Sequence, residues 1–208
     1  MDAILITHEH IDHTKSLGMI SSKYNIPIYT NEKTWNAIGS SKEKVLPENI
    51  NFFSSESTFS IGSLEIYAFS TPHDAAEPCG FYIKSGEHSL GIATDLGHVT
   101  PNILKTFSKC SDLLLESNYA PEILKVSSYP YALKQRIFGP KGHLSNDMAG
   151  EILSKLVDTN LKNVLLIHLS KENNFPELAK KTVLENVQNK INIDVAPRNS
   201  PSKFFKIS

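Results

Sequence analysis

The chain has 208 residues, 40% of them hydrophobic, and a formal net charge of −1. That length favours one domain with a real core, and the neutral balance neither requires nor excludes nucleic acid, since a basic face can hide in a neutral total. Two distant cysteines, Cys79 and Cys110, with no CxxC, exclude a disulfide framework and a zinc knuckle, and read as reduced thiols near the core. No apolar run reaches the length of a membrane span, and the start (Met1, Asp2, Ala3, Ile4) has no basic n-region, so a soluble cytoplasmic protein without signal peptide is expected.

Short apolar runs alternate with helical patterns, without internal repeats or low-complexity stretches. Residues 3–6 read as a buried strand and 14–24 as a helix with Leu17, Ile20 and Tyr24 on one face. Residues 26–29 read as a second strand. Residues 57–69, β-branched and aromatic but broken by Gly62, predict a hairpin. Strands 80–84 and 89–93 follow, joined by a turn at 85–87; then come a helix over 101–107 and a short buried strand at 113–115. Residues 146–157 predict an amphipathic helix capped by Ser145. A buried strand at 164–167, a helix over 176–189 with Pro176 in its first turn, and tail strands at 192–196 and 203–207 complete the pattern. Such alternation suggests helices outside a sheet core.

The segment THEHIDH, residues 7–13, is the strongest chemical signal. It directly follows an apolar strand and carries His8, His10, Asp12 and His13, whose imidazole nitrogens and carboxylate oxygens suit zinc, manganese or iron. Residues two apart do not face each other on a helix but share a side of an extended segment. His8 and His10 can therefore grip one ion, and the chain must then turn for Asp12 and His13 to meet a second. The start of an HExxH motif at His8-Glu9 fails, because Asp12 stands where the second histidine belongs. Glu9 lies between two of these histidines and Asp74 next to His73, and each either orients an imidazole or is solvated.

THEHIDH resembles the HxHxDH signature of the metallo-β-lactamase fold superfamily. The resemblance implies an α+β fold, a four-layer αβ/βα sandwich, with three further ligands at strand ends. His73 in STPHDA, Asp95 in GIATDLG and His168 in LLIHLS stand at those places. By that likeness one ion would be bound by His8, His10 and His73 and a second by Asp12, His13 and His168. Asp95 would lie between them as bridge and orienter of the nucleophile. Two divalent ions, zinc or manganese, are the implied cofactors.

ATDLGH, SSYPYALKQRIFGPKGHLSN and HLSKENNFPELA are similar to the WalJ/YycJ-type branch, bacterial metallohydrolases regarded as DNA exonucleases, and the likeness runs over nearly the whole chain. More distantly the chain resembles RNase Z and RNase J. GHLS, residues 142–145, matches an RNase Z element, which makes His143 a candidate phosphate contact and proton donor and not a metal ligand. The stretch between Glu122 and Asp147 has no acidic residue but holds Lys125, Lys134, Arg136 and Lys141. It ends at a helix start, a natural anion site. Arg136, Lys141 and Ser145 are accordingly the candidate substrate contacts. Core packing is the first expectation for Tyr129, Tyr131 and Phe138, ahead of base stacking. His88 is expected to face solvent, and His98 has no assigned role.

The family's opening β-hairpin and Asp-Ala-Gly-like segment have no counterpart ahead of THEHIDH, so a single domain over 1–208 lacking the first strands of its first sheet is expected. The implied activity is metal-assisted hydrolysis of a phosphodiester in nucleic acid, DNA ahead of RNA, without membrane association. A hydrolase of a small ester, lactam or thioester and an inactive metal- or partner-binding fragment are the alternatives, since the fold alone does not separate them.

Overall fold

The computed structural model describes residues 1–188 and 190–202, and in it the apolar runs become strands and most of the periodic segments between them helices. The chain divides into two units. Met1–Ser70 with Asp74–Phe81 form one; Thr71–His73 and the residues from Tyr82 onward form the other.

In the first unit, β1 (Ile4–Leu5), β2 (Ile28–Thr30) and β3 (Ile50–Phe52) make a parallel sheet in the order β1-β2-β3, with Ile4 opposite Ile28 and Ile28 opposite Ile50. Parallel neighbours need crossovers. The first is made by α1 (Ile11–Thr14) and α2 (Leu17–Tyr24), the second by α3 (Glu32–Ala37) and two 3-10 turns. Ile6, Leu17, Ile28 and Ile38 form the core, with Ile4, Trp35 and Val45 packed against it. Asn31 caps α3, accepting the Thr34 N–H at 2.8 Å, and donates to the Glu77 carbonyl at 2.7 Å. The antiparallel hairpin of β4 (Ser57–Ile61) and β5 (Leu64–Ser70) turns at Gly62, whose φ of +57° suits a two-residue loop. Strand β6 (Cys79–Ser85) begins in this unit and ends in the second.

In the second unit, β7 (His88–Ala93), β8 (Asp112–Glu116), β9 (Asn163–Ile167) and β10 (Asn192–Val195) are neighbours in that order and all parallel. Leu113, Leu115, Val164 and Leu166 are buried, the continuous apolar pattern of a sheet covered on both faces. The covering helices are α4 (Pro101–Phe107), α5 (Pro121–Val126), α6 (Tyr131–Phe138), α7 (Asn146–Ser154) and α8 (Pro176–Val187). Their starts follow local rules. Thr100 and Ser145 cap α4 and α7 with their side chains, and Pro101, Pro121 and Pro176 occupy first turns. Ala93 pairs with Leu115 and Leu115 with Leu166, so the carboxyl ends of these three strands lie at one level.

The structure alters several expectations. The helix expected over 14–24 starts only at Leu17, because Ser16 (φ −104°, ψ 5°) separates it from the short α1 that ends at Thr14, and Tyr24 is exposed while Leu17 is buried. Helix α3 and strand β3 form where the sequence pattern predicts none. The expected strand at 203–207 lies outside the described residues. Among the described residues, no helix is long and apolar enough to cross a membrane.

Candidate metal centre

The ligand-rich loop of the first unit begins where β1 ends. His10 is extended, at φ −56° and ψ 148°, and the helix starts only at Ile11. His8 and His10 therefore share a side, as the spacing predicts, and His8 Nε2 lies 3.1 Å from His10 Nδ1. Asp12 and His13 sit on the first helical turn, with His13 Nε2 3.5 Å from Asp12 Oδ2. The loop is pinned from behind. The Thr7 hydroxyl lies 3.1 Å from His8 Nδ1 and 3.4 Å from His13 Nδ1, and the Thr7 carbonyl accepts the Cys79 N–H at 3.0 Å. The Thr14 hydroxyl donates to the Glu9 and His10 carbonyls, closing the turn. Glu9 accepts the Ala76 N–H at 2.8 Å, which makes it a loop clamp; Asp74 is exposed.

In the second unit, His73, Asp95, Glu116, His143 and His168 come together. Asp95 follows β7, Glu116 ends β8 and His168 follows β9, so the parallel register delivers all three at the carboxyl edge, where open α/β sheets bind ligands. Asp95 and His168 have φ of 56° and 58°. A left-handed backbone at a non-glycine residue costs about 1–3 kcal/mol and gathers at functional sites. Asp95, Glu116, His143 and His168 each offer a ligand atom within 4.8 Å of the others.

The donor geometry fits a cation. His73 Nε2 and His168 Nε2 lie 3.7 Å from Asp95 Oδ1 and Oδ2 respectively. That is too long for a hydrogen bond but close to the separation of two atoms each about 2.0–2.2 Å from one ion. The opposite nitrogens are held by protein acceptors. His73 Nδ1 lies 3.1 Å from the Gly142 carbonyl and His168 Nδ1 2.9 Å from Glu116 Oε1. Metal-ligating histidines are oriented in this way.

Glu116, which sequence reasoning missed, organises the site. It is fully buried; Oε1 also lies 2.7 Å from His143 Nδ1, and Oε2 accepts the Leu96 and Leu144 N–H groups at 3.1 Å each. Burial alone would raise its carboxyl, but the hydrogen bonds and charge of His143 and His168 outweigh it and hold Glu116 below the usual carboxylate range. Burial would likewise lower His143, yet the Glu116 bond and the Glu116 and Asp95 charges raise it. The available signal was an acid closing an apolar strand, DLLLE, as Asp95 and His168 follow theirs.

Ser145 is buried, and its hydroxyl oxygen accepts the Met148 N–H at 3.1 Å, capping α7. Arg136, on α6, and Lys141, in the loop after it, are exposed. Tyr129 packs against the cluster of Tyr119, Leu124 and Ile137, and Phe138 meets Tyr119 edge-on at 5.3 Å. Tyr131 departs from the expected core packing, with 77% of its surface exposed. His88 is exposed, and His98 Nδ1 lies 2.9 Å from the Pro140 carbonyl.

The metallo-β-lactamase fold protein YhfI from Bacillus subtilis superposes with a TM-score of 0.71 at 18% identity, over 94% of this chain and 75% of that one. Fold and donor set define a metal-dependent hydrolase of the metallo-β-lactamase fold. The chain belongs to the beta-lactamase superfamily domain family, whose model matches residues 1–169, and within it to the YycJ/WalJ branch. It is 34% identical to exodeoxyribonuclease YycJ of Bacillus anthracis over 190 residues, covering 91% of this chain and 72% of that protein. It is 38% identical to exodeoxyribonuclease WalJ of Streptococcus pneumoniae over 186 residues, covering 88% and 69%.

Proposed function

We propose that the chain hydrolyses DNA phosphodiesters from a strand end, as an exonuclease, using two divalent metal ions. The observation that carries this reading is the Glu116–His143 bond beside Asp95. His143 Nδ1 is fixed on a buried carboxylate, so the ring's other nitrogen, on the opposite side, is left for substrate. The Glu116 bond and the Glu116 and Asp95 charges favour the protonated ring, as suits a proton donor. Metal-assisted carbonyl hydrolysis does not require such a buried acid–imidazole pair, whereas a poor alkoxide leaving group benefits from a proton donor. The names of the YycJ and WalJ relatives support DNA ahead of RNA.

In this reading His8, His10 and His73 hold one ion and Asp12, His13 and His168 the other, with Asp95 shared between them. Zinc and manganese suit the mixed nitrogen–carboxylate set. When bound, the metal pair supplies a nucleophile ionised near neutral pH and neutralises phosphate charge. Asp95 orients the attacking group, and His143 contacts the phosphate and hands its proton to the leaving oxygen. Arg136 and Lys141 supply non-specific attraction for the backbone. Ser145 acts through α7, whose start it caps. A cytoplasmic place of action is part of the proposal and accords with two buried free thiols.

The test is digestion of end-labelled DNA and RNA, with zinc and with manganese, beside a neutral lactam and a thioester. The reading expects stepwise shortening of DNA that weakens with salt, more steeply for the wild type than for Arg136→Glu. Efficient lactam or thioester hydrolysis with DNA untouched would contradict it.

A further inference from the structure

The parallel register carries one more segment to the edge where Asp95, Glu116 and His168 stand. Strand β10 pairs with β9 up to Val195 opposite Leu166, and the Ala196 N–H continues the ladder to the Leu166 carbonyl at 2.9 Å. Pro197 and Arg198 therefore leave the sheet beside His168. Between them lies a pocket of about 380 Å³ lined by His168, Asn118, Ser170, Pro197 and Arg198, among others, with no carboxylate among the described residues of its wall.

Its groups are arranged for a phosphate. Arg198 Nη2 donates to the Leu169 carbonyl at 2.9 Å, which anchors the guanidinium while its other N–H donors remain for a ligand. The Ser170 oxygen accepts the Asn173 N–H at 3.2 Å, so its own hydrogen can be donated onward. Asn118 Nδ2 donates to the His168 carbonyl at 2.8 Å, fixing the pocket wall to the backbone of the proposed metal ligand. The volume is near the bottom of the roughly 300–1,000 Å³ range of small-ligand sites, enough for one nucleotide but not for a duplex.

We propose that this pocket receives the terminal nucleotide of the strand being degraded, with Arg198 binding its terminal phosphate. The inference rests on the nuclease reading above and deepens it. A one-nucleotide chamber beside the proposed cleavage position would restrict the enzyme to strand ends, and a fixed guanidinium would favour ends that carry a phosphate.

Two measurements on the full chain test this. The first titrates 5′-dAMP, 3′-dAMP and deoxyadenosine into wild-type, Arg198→Ala and Arg198→Lys protein, with NMR or calorimetric detection. At least one monophosphate should bind the wild type about tenfold or more tighter than the nucleoside, the range for a charge-assisted hydrogen bond. Arg198→Ala should erase that advantage, and Arg198→Lys should restore part of it. The second compares digestion of oligonucleotides with phosphate or hydroxyl at each end; the wild type should prefer one phosphorylated end and Arg198→Ala should not, with metal content unchanged. Monophosphate binding and end preference that both survive in Arg198→Ala would overturn the pocket while leaving the nuclease reading in place. Binding through Arg198 with no DNA cleaved would uphold the pocket and overturn the nuclease reading.

Discussion

One carboxylate oxygen, Glu116 Oε1, lies 2.7 Å from His143 Nδ1 and 2.9 Å from His168 Nδ1. A single fully buried acid therefore sets the orientation of two rings to which the proposed function gives different work, one as proton donor and one as metal ligand. Sharing one acceptor favours a proton on Nδ1 of each ring, which leaves the reactive side of each to Nε2.

Glu116→Gln is expected to lower metal affinity, turnover or both by about 10–100-fold, the usual cost of losing the partner that orients a ligand. An amide nitrogen cannot accept the N–H groups that the carboxylate satisfies, so stability should also fall by about 1–3 kcal/mol. Metal titration, turnover and thermal melting read the three effects. Wild-type behaviour in all of them would remove Glu116 from the site.

His143→Ala should retain bound metal and lose about 10²–10⁴-fold in hydrolysis, as for a lost general acid. His168→Ala should lose metal as well as activity. Metal content beside turnover for each variant checks this, and metal lost in the first but retained in the second would reverse the assignments.

The loop of THEHIDH was legible because its chemistry depends on local spacing. A His-x-His pair at a strand end must converge if the backbone stays extended, and it does. The Gly62 hairpin and the Ser145 cap were legible for the same reason: each is decided by a turn conformation or a side-chain oxygen within a few residues. Glu116 was not, because its partners His143 and His168 are far along the chain and only the parallel register of β7, β8 and β9 delivers them. Arg198 was hidden likewise, since its place follows from the pairing of β10. The acid-free tract was legible as basic, but its division into α5 and α6 was not, since it depends on Leu124 and Ile137 being buried with Tyr119.

Gly142 shows how closely the loop before His143 is held. A Cβ there would lie 2.2 Å from the Ile137 carbonyl oxygen and 2.3 Å from that of Arg136, both rigid backbone atoms. Gly142→Ala should cost about 1–3 kcal/mol through forced backbone movement. It should also impair turnover, because the Gly142 carbonyl orients His73. Thermal melting and turnover should fall together; an unchanged melt would mean that the loop moves freely.

Burial, with the Asp112 charge nearby, pushes the Cys110 thiol up to about 12, and burial with Glu77 raises Cys79 as well. Unfolded thiols ionise near their ordinary value of about 9, where the folded ones stay neutral. The unfolded chain then binds fewer protons, so these groups make stability fall as pH rises from about 9 toward 12. A thiol reagent at pH 8 should find both cysteines unreactive until denaturant is added, and urea midpoints should drop between pH 9 and 11. Rapid native-state labelling would show that the thiols are accessible.

The proposed chemistry is that of a dinuclear metal site working on DNA ends. Its most direct test is metal content of the purified chain measured beside the product pattern from end-labelled DNA. Close to two ions per chain, and label released as mononucleotide from the first turnover, are expected. One ion per chain, unchanged by His168→Ala, or internal fragments in place of mononucleotides, would contradict it.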